Sequence, residues 1–183
     1  MKKSDLSKLN EAIASLHEEN DVYSYEINES KRIEFPRGFL RTLATYRLIF
    51  PFIENKILLD KIAHQMMLRD TFHWLWLKTD IRSYPRHMLI KSQLINLASI
   101  LEAIVKYLYP VQAQKNVSIY VILDLLSKEK NIEVESLKMI WKTRNKIHLH
   151  ITDEVETYKF TDAKYKEWHR AMATFIKELN NGV

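Results

Sequence analysis

The residues best suited to chemistry lie late in the chain, in the stretch RNKIHLH from Arg144 to His150. A guanidinium holds an oxyanion through a two-pronged hydrogen bond, and an imidazole gives or takes a proton near neutral pH. Together they suit cleavage of a phosphodiester, with Arg144 on the phosphate and a histidine moving the proton. On a wheel of about 100° per residue, Leu137, Ile140, Trp141 and Ile147 mark an apolar side. Arg144 falls in the middle of that side, and His148 lies about 40° away from it. An arginine placed there needs a carboxylate, phosphate or carbonyl partner if it is buried. Its plain structural role is an inter-helix ion pair, with His148 a satisfied core histidine. Lys138, Lys142, Lys146 and His150 form a second stripe at i, i+4 spacing, and no acidic residue occurs from Lys138 to His150. That stripe reads as a solvated face near a helix C-terminus or as a track for a nucleic-acid backbone.

Other clusters carry less. TFHWLWLK, Thr71 to Lys78, sets His73, Trp74 and Trp76 close together, as a stacking platform for single strands would. Its apolar residues run all round the helix, which favours core or dimer packing. Asp70 and His73 share a face at i, i+3, but no second ligand pair completes a metal site. On a helix the rings of His148 and His150 diverge by about 160°, which excludes a chelate. The chain has no cysteine and 2 glycines, so thiolate metal sites and glycine-rich phosphate loops are not available to it. Neither a metal nor a cofactor is expected.

These residues must be held by helices. The chain has 183 residues, 46% hydrophobic and 28% charged, which fits one folded domain. With 2 Gly and 4 Pro there is little turn chemistry for a many-stranded sheet. Apolar spacing predicts helices over about 4–19, after Pro36, and over 52–78. Residues 21–35 read as a loop or short strand, and the IRSYPR stretch as a break, with Pro85 turning Tyr84 away from helix. Leu94, Leu97, Ala98, Leu101, Val105 and Leu108 line one stripe of the next helix, which ends at Pro110. SIYVILDLLSK is apolar nearly all round except Asp124 and reads as a buried core helix. A helix from about Val134 to His148 or His150 carries the opening motif. The last begins at Thr161 or Asp162, lines up Trp168, Met172, Phe175, Ile176 and Leu179, and stops near Gly182. The expected fold is an all-α bundle of about five to seven helices.

Charge and segment character set the surroundings. The net charge of +5 permits a polyanionic partner without requiring one. MKKSDLSKLNE lacks an apolar h-region, so no secretory signal is read and a cytoplasmic location is expected. The apolar stretch LINLASILEAIVKYLYP contains Asn96, Glu102 and Lys106 and does not read as a membrane span.

RNKIHLH resembles the motif of the HEPN superfamily, in which an Arg followed by a polar residue precedes a His by four to six residues. SILEAIVKYLYP resembles the helix that comes before that motif and carries an acidic residue, which makes Glu102 its counterpart. The resemblance covers roughly residues 85–150 and implies a HEPN-like core over 85–181, with a helical portion over 1–80 packing on it in a single domain. It implies a metal-independent endoribonuclease of toxin or antiviral-defence type, a homodimer with RNA as substrate and an antitoxin or other protein as partner. Arg144 would hold the phosphate, His150 or His148 would transfer the proton, Asn145 would orient the phosphate or the histidine and Glu102 would fix Arg144. Lys138, Lys142 and Lys146 would bind the RNA backbone. Five residues separate Arg144 from His150, as in the family; three separate it from His148, which wheel geometry favours. Other members of the superfamily are non-catalytic, so a helical binding module with Arg144 as a structural ion-pair partner stands beside the enzyme.

Overall fold

In the computed structural model of the chain, residues 3–18, 40–147 and 160–182 are described. The chain divides into two units, Met1–Arg37 and Gly38–Val183. Among the described residues there are eight helices and no strand, so the chain is all-α as expected. They are α1 (Lys3–Glu18), α2 (Leu43–Arg47), α3 (Lys56–Lys78), α4 (Ser83–Leu108), α5 (Pro110–Gln114), α6 (Ile119–Lys130), α7 (Glu135–Asn145) and α8 (Asp162–Asn181). The first unit holds α1, whose Leu6 and Leu9 are exposed. The predicted loop or strand over 21–35 lies outside the described residues.

In the second unit α4 is the central element, packed against α3, α5, α6, α7 and α8. Leu94, Leu97, Ala98, Leu101 and Val105 of the predicted stripe are buried, Leu108 at its end is half-buried, and Ile90, Ile100 and Ile104 extend the buried surface around the helix. A helix covered on most sides must be apolar on most sides. For the same reason α4 is long and apolar enough to cross a membrane by length and composition, although 56% of its most apolar window is buried inside the fold.

Three expectations need correction. The break at IRSYPR does not keep Tyr84 out of helix: α4 begins at Ser83 and takes Tyr84 and Pro85 into its first turn. First-turn N–H groups have no intrahelical acceptor, so proline gives up nothing there. The α6 segment is amphipathic rather than buried all round. Ile119, Ile122, Leu123 and Leu126 face the core, while Val121 and Asp124 are exposed. The helix carrying Arg144 ends at Asn145, well before His148, and this alters the site as set out below.

Residues 38–80 belong to the same unit as α4–α8. Tyr46, Phe50, Ile53, Ile62, Ala63 and Met66 enter the same core cluster as α4 and α8. Asn55 caps α3 by accepting from the Leu58 N–H at 3.0 Å, which sets its start at Lys56. At the other end of the fold, α8 buries Trp168, Met172, Phe175, Ile176 and Leu179 as its spacing predicts. Its first residue, Asp162, accepts two hydrogen bonds from Arg86 (3.0 and 2.8 Å) and one from the Trp76 indole N–H (2.9 Å). Arg86 holds the Asp162 carboxyl below its usual range. These contacts tie the start of α8 to α3 and α4.

Candidate functional site

The helix α7 forms because Leu137, Ile140 and Trp141 recur at helical spacing and bury together. Glu135 in its first turn and Lys142 and Arg144 in its last complement the helix dipole. The last turn tightens: the N–H groups of Lys146 and Ile147 donate to the carbonyls of Thr143 and Arg144, both at 3.1 Å. Such i to i−3 bonds satisfy carbonyls that a helix end leaves free. Ile147 then packs against the core outside the helix. The helix expected to run to His148 or His150 thus ends at Asn145. His148 and His150 lie outside the described residues.

Arg144 is half-buried. Its guanidinium carbon stands 4.9 Å from the centre of the Trp141 ring, and Nη1 donates to Asn145 Oδ1 at 3.2 Å. A cation over an indole face gains about 0.5–2 kcal/mol, depending on how dry the contact is. Among the described residues, no carboxylate lies within ion-pair distance of Arg144. Asn145 thus takes the place beside Arg144 that was expected of Glu102. The Glu102 carboxylate instead accepts from Lys106, one turn along α4, at 2.6 Å.

The lysine stripe is divided. Lys138 is held at 2.7 Å by Asp124 of α6 and at 2.7 Å by Glu135. Those bonds raise its pKa, Asp124 first and Glu135 second. A cation balanced by two carboxylates offers little to a phosphate. Lys142 and Lys146 are exposed toward the C-terminal end of α7.

A second constellation joins α2, α3, α4 and α8. Asp70 accepts from the Tyr46 hydroxyl at 2.6 Å and from Arg69 Nε and Nη2 at 3.0 and 2.8 Å. Tyr46 is fully buried, and burial followed by the bond to Asp70 pushes its hydroxyl up to about 12. His73 Nδ1 is hydrogen-bonded to the Tyr165 hydroxyl, which burial also pushes up to about 12. His169 Nε2 meets the Oε1 of buried Gln93 at 3.3 Å. The Tyr165 ring lies 4.6 Å from Trp76 and 4.3 Å from His169, centre to centre. Burial, then the charge of Arg69, lowers His169 to about 3, and burial lowers His73 as well. Both imidazoles are therefore neutral at pH near 7.

Beside these groups opens a cavity of about 480 Å³ lined by Arg41, Arg69, Asp70, His73, His169 and Arg170. In sequence, the Asp70/His73 spacing and the His73/Trp76 cluster pointed here. Tyr165 and His169 stand about a hundred residues further along, and no local pattern joins them to α3. Among the described residues, no three His, Asp or Glu side chains gather as a metal site. No protein-family model matches this chain, and no curated protein or solved structure shows significant similarity to it.

Proposed function

We propose that this protein is a metal-independent endoribonuclease of toxin or defence type, acting as a homodimer through Arg144 and His150, with His148 as the alternative base. The observation that supports this reading is the setting of Arg144. It is half-buried on the face of Trp141, braced by Asn145, with no carboxylate partner among the described residues. A guanidinium has five N–H donors, and the bond to Asn145 uses one of them. The rest suit a phosphodiester oxygen and the charge that develops on it. A histidine near its ordinary pKa supplies proton transfer in cleavage by the RNA 2′-hydroxyl. Lys142 and Lys146 follow the RNA backbone, whereas Lys138 and Glu102 are taken up by ion pairs and have no part in the reaction.

The test is cleavage of single-stranded RNA by purified protein in EDTA. Arg144→Ala is expected to abolish it, as is one of His150→Ala and His148→Ala, with the helical circular dichroism unchanged. Equal activity in the triple variant overturns the reading. The binding-module alternative requires Arg144 to be half of a buried ion pair, whose loss costs about 3–5 kcal/mol. Here Arg144→Ala is expected to cost about 1 kcal/mol, the scale of a partly exposed cation–aromatic contact.

A further inference from the structure

We infer that the cavity between α3 and α8 is a binding site for a phosphomonoester, distinct from the Arg144 end of α7. Three arginines line it, Arg69 from α3, Arg170 from α8 and Arg41 from the segment before α2. One carboxylate, Asp70, faces them, so three positive charges against one negative leave a net charge of +2. That carboxylate is already committed. It takes both donors of the Arg69 fork and the hydroxyl of buried Tyr46, which fixes it in the wall. Arg41 and Arg170 form no ion pair with any described residue and are exposed at the opening.

The two histidines complete the wall without adding charge. His73 is half-buried, and its Nδ1 is occupied by the Tyr165 hydroxyl. Burial and then the charge of Arg69 oppose protonation of both rings. Donors in excess, a net charge of +2 and planar forks match a dianionic phosphate better than a single carboxylate. The volume of about 480 Å³ falls within the range of sites for organic ligands, so the phosphate would carry an organic group. A free mononucleotide and a phosphorylated RNA end share that chemistry.

The test is calorimetric titration of the full chain with adenosine monophosphate, adenosine, and an oligoribonucleotide with and without a terminal phosphate. Adenosine monophosphate is expected to bind and adenosine not to bind. Arg41→Gln and Arg170→Gln, both at exposed positions, are each expected to weaken binding about tenfold. Tighter binding of the phosphorylated oligonucleotide than of the mononucleotide assigns the RNA end as ligand, and the reverse order assigns a free mononucleotide. Binding that ignores the terminal phosphate, or that survives the Arg41→Gln/Arg170→Gln double variant unchanged, overturns the proposal. So does the absence of heat with either phosphate probe at millimolar concentration. Arg144→Ala leaves this binding intact, which separates its failure from failure of the ribonuclease reading.

Discussion

His169→Gln tests the buried wall of the second constellation through its pH dependence. Burial and the charge of Arg69 take His169 from its ordinary 6.5 to about 3. As pH falls below 6.5, the unfolded chain binds a proton there that the native chain refuses until about pH 3. Stability from the neutral ring is thus complete above that range and is lost as pH falls through it. Between about pH 7 and about pH 5 the loss spans roughly 1.5 pH units, or about 2 kcal/mol. For a chain of this length, that corresponds to about 4–8 °C in Tm. Glutamine keeps an N–H donor for Gln93 and does not titrate. Urea unfolding followed by circular dichroism, in buffers without phosphate, should show the parent losing about 2 kcal/mol more than the variant across that interval. Carboxylates titrate mostly below it, so they contribute equally to both proteins. Parallel losses in the two proteins would refute the burial of a neutral His169.

Two further outcomes follow from the packing and from Asp70. Leu101→Ala, at a fully buried position on α4, is expected to cost about 2–5 kcal/mol in urea unfolding, and a loss below about 1 kcal/mol counts against α4 as the core helix. Tyr46→Phe removes the hydroxyl that donates to Asp70 and accepts from the Arg41 N–H, and should cost about 1.5–3 kcal/mol by the same measurement.

The sequence by itself determined the helices whose faces are strongly periodic. The stripe from Leu94 to Val105 and that from Trp168 to Leu179 are buried as their spacing requires, because one apolar face per turn leaves a helix a single way to pack. Boundaries were less legible. Pro85 is tolerated inside α4 because its missing N–H falls in the first turn, and α7 stops at Asn145 where the last carbonyls close on tightened bonds. Arg144 was recognisable as an arginine on an apolar face, but not the partner it takes. Its contacts with Trp141 and Asn145, like that of Glu102 with Lys106, are made within a single helix between near neighbours, whereas only the tertiary structure gave Lys138 to Asp124. The arginine-lined cavity was beyond reach of any local pattern. Tyr46, Asp70, Tyr165 and His169 come from three helices, and their shared burial, which lifts the phenols and lowers the imidazoles, exists once α2, α3 and α8 are assembled around α4.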